Sequence, residues 1–151
     1  MANRTPRLTT AEEFDAWQAA LPLKLVQLNT LVPPALREKL DYSLDSIDLL
    51  EAWLLEKYPS YQAAITPEEY PVIDAASVYI GEAFRDFLEG DWIVELEDAD
   101  DPFQGMPAIV DFDSAQVPDI IYPVSWLTAA LDRRTGNFVR RQLERYVTPI
   151  E

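Results

Sequence analysis

The sequence predicts an α+β fold, a helix-dominated single domain with a small antiparallel β-sheet, and three observations carry that prediction. Apolar residues recur at helical spacing from residue 14 to residue 87, the pattern changes to short β-prone runs between residues 92 and 112, and helical spacing resumes after Pro123. A chain of 151 residues is expected to form one domain spanning 1–151, with 1–9 flexible, and can withdraw roughly 70% of its unfolded surface from water. At 48% apolar and 11% aromatic residues it carries enough core to fold in spite of a net charge of −15.

From the N-terminus, Thr10 is an N-cap with Glu13 at the third helical position, a capping box, and Phe14, Trp17 and Leu21 follow on one face. Pro22 ends or kinks that helix. Leu25, Leu28 and Val32 form a second apolar series, stopped by Pro33-Pro34. Ser43 or Asp45 starts the next helix, with Ile47, Leu50 and Leu54 on one face, Leu49 and Trp53 widening it, and Tyr58-Pro59 closing it. Residues 60–70 contain a short helical turn, and Thr66-Pro67-Glu68-Glu69 has the form of an N-cap, a proline and an acidic first turn.

The clearest helical period follows. Ile73, Ala76, Ile80, Phe84 and Phe87 recur at steps of three and four within residues 71–89, and Gly90 is expected to supply the C-cap. Gly81 inside that helix costs up to about 1 kcal/mol relative to alanine, so either another backbone packs closely there or the fold simply tolerates the cost. Trp92-Ile93-Val94-Glu95-Leu96-Glu97 and Ala108-Ile109-Val110-Asp111-Phe112 then read as antiparallel strands, with their register and a further short strand around Asp119-Ile120-Ile121 left open. Pro123 opens a helix carrying Val124, Leu127 and Leu131. A break at Thr135-Gly136-Asn137 precedes the last helix, with Val139, Leu143 and Tyr146, so the chain closes as a helical hairpin.

Charge is distributed as unevenly as hydropathy. Residues 41–119 hold twenty carboxylates against Lys57 and Arg85, a local sum of −18 (2 − 20), whereas residues 1–40 sum to +1 (5 − 4) and 120–151 to +2 (5 − 3). Such a field repels nucleic acid and anionic membranes and steers cationic partners inward. The expected partner is therefore a basic protein, with no nucleic acid and no membrane; no stretch approaches 18 uncharged apolar residues and no signal-peptide pattern follows Arg4 and Arg7. Together with the absence of cysteine, this points to the cytoplasm. A dimer through the near-neutral N-terminal helices or the C-terminal hairpin stays open.

Zero histidine and zero cysteine remove the usual general base, thiolate nucleophile and soft metal ligands, so triads and ordinary zinc sites are excluded. Glu95-Leu96-Glu97-Asp98-Ala99-Asp100-Asp101 places five carboxylates in seven residues, yet a calcium loop begun at Asp98 meets Pro102 and Phe103 at its fifth and sixth positions, where a ligand and a glycine are needed. No metal, cofactor or catalytic residue is expected. Glu82 reads as the partner of Arg85 on one helix, each of the four tryptophans as a core residue, and the set Arg133, Arg134, Arg140, Arg141 and Arg145 as paired with the acidic block or solvated.

The segment Tyr79-Ile80-Gly81-Glu82-Ala83-Phe84-Arg85, followed by Gly90-Asp91-Trp92, Pro107 and a helical hairpin, resembles a pattern in small uncharacterised acidic bacterial proteins, some of them similar to immunity proteins of toxin systems. The resemblance covers the second half of the chain and implies a packing device: the glycine admits the strand and the tryptophan covers the helix end. It also implies a protein-binding role. The leading expectation is thus a non-enzymatic module, an immunity-type inhibitor masking a basic surface through Asp45, Asp48, Glu95, Glu97, Asp98, Asp100 and Asp101, with Phe103, Tyr58, Tyr61 or Tyr70 as aromatic anchors. The alternatives are a nucleic-acid mimic that binds a DNA-binding protein, and a carboxylate-based hydrolase.

Overall fold

The computed structural model describes residues 7–87, 90–111 and 119–147. Helix α1 (Ala11–Ala19) begins at the Thr10–Glu13 capping box, and α2 (Leu21–Leu31) follows after a one-residue break with Pro22 in its first turn. Proline there needs no N–H partner, so it starts the second helix as it ends the first. The Pro33-Pro34 stop is at once the beginning of a one-turn helix, α3 (Pro34–Arg37), which the sequence reading omitted. Ser43 caps α4 (Leu44–Lys57) by accepting from the Ser46 N–H. The 60–70 stretch divides into α5 (Tyr61–Ala64) and a 3-10 turn (Pro67–Glu69), at which Thr66 makes no side-chain cap bond.

Helix α6 (Tyr70–Phe87) is the centre of the molecule and packs against both α2 and α7. Its sequence period marks one apolar stripe, but Val72, Ala75, Val78, Tyr79 and Ala83 are as buried as Ile73, Ala76, Ile80 and Phe84. The small residues Ala75, Ala76, Ser77 and Ala83 let neighbours approach from several sides, so the helix is enclosed rather than laid along a surface. By contrast α4 buries Ile47, Leu50 and Leu54 and leaves Leu49 exposed, so its apolar face is narrower than expected.

Three antiparallel strands stand in the order β1 (Gly90–Ile93), β2 (Ala108–Asp111) and β3 (Asp119–Ile121), with Trp92 opposite Ile109 and Ile109 opposite Ile121. Gly90 is the first residue of β1 rather than a helix cap. A Cβ there would stand 2.7 Å from the Val110 carbonyl oxygen, so glycine is what allows the two strands to pair. The Gly81 gap is filled by a side chain, not by a backbone: the six-membered ring of Trp92 occupies the space a Cβ would need. Trp92 in turn meets Trp17 edge to face at 4.8 Å, which ties α1, α6 and the sheet into one core.

Helices α7 (Pro123–Arg133) and α8 (Phe138–Val147) close the chain as the expected hairpin, with Val124, Leu127, Leu131, Val139 and Leu143 buried. Arg134, in the left-handed region at φ 57°, ends α7 one residue before the Thr135-Gly136-Asn137 break. Phe112 and the side chains of Phe87 and Tyr146 lie outside the described residues.

Candidate functional site

The acidic loop is built by its own carboxylates. Glu95 Oε1 accepts from the Glu97 N–H (2.7 Å) and the Asp98 N–H (2.8 Å), Asp98 Oδ1 from the Asp100 N–H (3.0 Å), and Asp101 Oδ1 from the Phe103 N–H (2.8 Å). These bonds fold the stretch into successive turns, the use short acidic side chains serve best outside helices. The two N–H donors hold the Glu95 carboxyl below its ordinary value of 4.5. The loop is also tied down at its base. Gly105 N–H donates to the Glu95 carbonyl (2.7 Å), Gln104 Nε2 to the Leu96 carbonyl (3.0 Å) and Leu8 N–H to the Gly105 carbonyl (2.8 Å), while Arg7 Nη1 reaches the carbonyls of Pro102 and Gln104.

Of the six loop residues singled out by sequence, Glu95, Asp98 and Asp101 therefore shape the loop, and Glu97 and Asp100 are exposed with no hydrogen bond to their carboxylates among the described residues. Phe103 is half-buried and stacks on Tyr122 at 4.3 Å. Burial raises the Tyr122 hydroxyl above its usual range, and the nearby charges of Asp101 and Glu95 add to the effect.

Asp45 and Asp48 are held by a different neighbour. Arg140 Nη1 on α8 donates to Asp45 Oδ1 (2.9 Å) and Asp48 Oδ2 (3.0 Å), and its Nε lies 3.4 Å from Glu144. The Asp48 and Asp45 carboxylates hold the guanidinium above its ordinary value. Part of the negative charge on this helix is thus neutralised from within. Asp45 still projects, its side chain 88% exposed, whereas Asp48 is mostly covered. Tyr58 is not the exposed anchor that the sequence suggested. It is 3% exposed and donates its hydroxyl to Glu69 Oε1 (2.6 Å), because the helix end it caps turns it back onto the core.

Two arrangements escaped sequence reasoning. The first is a cleft of about 420 Å³ lined by Trp17, Lys24, Gln27, Tyr70, Asp74 and Pro107, among others. At its floor Asp74 accepts from Trp17 Nε1 (2.9 Å) and pairs with Lys24, joining α1, α2 and α6. A signal was present: Asp74 is the only charged residue between positions 70 and 81. The second is Glu51, 2% exposed on α4, whose two carboxylate oxygens accept from the Phe138 N–H (3.1 Å) and the Val139 N–H (2.9 Å). It caps α8 from a distant part of the chain, and no local pattern announces such a cap.

Glu82 pairs with Arg85 at 3.0 Å, an ordinary helix pair, and all four tryptophans are buried or half-buried against the core. Among the described residues no group of three acidic side chains is placed to hold a metal ion, and no helix is long and apolar enough to cross a membrane. No protein-family model, curated protein or solved structure matches the chain.

Proposed function

We propose that this protein is a non-enzymatic binding module that covers a basic surface on another protein in the cytoplasm, as immunity-type inhibitors do. The observation that supports the reading is the acidic loop, ordered before any partner arrives. Ordering a loop on binding costs about 0.5–1.5 kcal/mol for each immobilised side chain, and a loop already fixed by its own turns and tied to residues 7 and 8 avoids much of that cost. Glu97 and Asp100 project from this frame with their charge available to a cationic partner, and the sum of −18 over residues 41–119, to which they contribute, extends the attraction beyond contact distance.

The test compares the native chain with Glu97→Lys/Asp100→Lys, two reversals that touch none of the bonds shaping the loop. Each is used as bait in a lysate of the source cells, and association with the protein recovered is timed at about 0.05 and 0.5 M salt, across which the Debye length falls severalfold. The reading expects a basic protein captured by the native chain and lost with the double variant, with an association rate that falls steeply with salt. A partner retained by the variant at an unchanged rate refutes it.

A further inference from the structure

Five arginines lie within residues 131–147, opposed by Asp132 and Glu144, a local sum of +3 (5 − 2) at the edge of a chain whose total is −15. Sequence alone suggests that they pair with the acidic block or stand solvated. The structure divides them. Arg140 is clamped between α4 and its own helix by Asp45, Asp48 and Glu144, and Arg134 donates to the carbonyls of Leu55 (2.8 Å) and Leu131 (3.3 Å). The other three, Arg133, Arg141 and Arg145, make no ion pair with a carboxylate among the described residues, and with Thr135, Phe138 and Gln142 they line one cleft of about 420 Å³.

The hairpin is what brings them together. Arg141 and Arg145 are one turn apart on α8, and the left-handed residue Arg134 turns the chain so that Arg133, the last residue of α7, faces the first turn of α8. There its guanidinium lies 4.9 Å from the centre of the Phe138 ring, which holds it in place. Like charges one helical turn apart repel each other, and a third across the hairpin adds to the repulsion. An anion seated among them would relieve it. Gln142 already accepts from Arg145 Nη1 at 3.2 Å, which orients that guanidinium, and Thr135 adds a hydroxyl at the rim. Behind the cleft, the start of α8 is occupied by the Glu51 carboxylate, so the guanidinium groups and not the helix end are the donors on offer.

We infer that the α7–α8 cleft is a binding site for the di- or triphosphate group of a small molecule, held by Arg133, Arg141 and Arg145. Forked guanidinium groups match phosphate oxygens in pairs, and a cleft of this volume takes a ligand of that size. A nucleic acid is disfavoured by the net charge of −15, which repels a long polyanion more than a short phosphate chain. The phosphate chain could be inorganic or part of a nucleotide, and the two are separable by experiment.

Sodium pyrophosphate is titrated into the 15N-labelled full chain, with sodium chloride at equal ionic strength as reference and adenosine triphosphate without magnesium as the second arm. The site predicts saturable shifts of the Arg133, Arg141 and Arg145 Nε–H signals that chloride does not reproduce. Arg133→Ala/Arg141→Ala should raise the half-saturating concentration about tenfold or more, with an unchanged circular dichroism spectrum. Tighter binding of adenosine triphosphate with new shifts at Phe138 assigns a nucleotide, and equal binding assigns an inorganic phosphate chain. Pyrophosphate shifts no larger than those of chloride, or saturation that the double variant leaves unchanged, overturn the site.

Discussion

Replacing Glu51 by glutamine should destabilise the protein even though it removes one negative charge from a chain of −15. The carboxylate is 2% exposed, and its two oxygens accept the Phe138 and Val139 N–H groups at 3.1 and 2.9 Å. Hydrogen bonds to a charged group contribute about 1.5–3 kcal/mol each, and a buried donor left without a partner costs about 1–3 kcal/mol. Glutamine keeps one acceptor oxygen and turns an N–H2 group toward the second backbone donor. One bond is lost, one N–H is orphaned, and the expected loss is about 2–4 kcal/mol. For a chain of this size that is a fall in Tm of roughly 5–15 °C. Relief of self-repulsion acts in the opposite direction, and Glu56→Gln isolates it, because Glu56 is exposed on the same helix and should leave Tm level or slightly raised. Urea and thermal unfolding followed by circular dichroism decide the matter. If Glu51→Gln behaves like Glu56→Gln, the capping argument is wrong.

Two further substitution and pH effects follow from the core and the loop. Gly81→Ala improves helix propensity by about 1 kcal/mol, yet the new methyl must displace the Trp92 ring, so we expect a net loss of about 1–3 kcal/mol in denaturant unfolding and a shifted tryptophan emission; equal or greater stability would refute the packing. Glu95 has a carboxyl pKa depressed in the folded state, so its contribution is fully present above the ordinary value of 4.5 and is lost as pH falls from there through the lower folded value. Amide exchange at Glu97 and Asp98 should therefore lose protection in that acid range, and Glu95→Gln should abolish the dependence; protection that persists unchanged to lower pH would count against the turn bonds.

Fold class, most helix starts and the presence of a small antiparallel sheet are legible in the chain alone, because these depend on neighbouring residues. The Thr10–Glu13 capping box, the Ser43 cap, the proline at the head of α7 and the change of hydrophobic period after Gly90 are all local signals. Tertiary structure alone decided what each charge and each glycine is for. Gly90 reads as a helix cap within its own segment and proves to be a strand position once β2 lies beside it; Gly81 has its reason in Trp92, eleven residues on. Asp45, Asp48 and Glu51 look alike on one helix, but α8 places Arg140 against the first two and two bare N–H groups against the third. The five arginines between residues 133 and 145 form one run of charge in sequence, and only the packing of α8 against α4 and α7 separates Arg134 and Arg140, which reach α4, from the three that share a cleft. A charge acquires its meaning from the group that faces it, and in this chain that group is supplied by a residue up to 97 positions away.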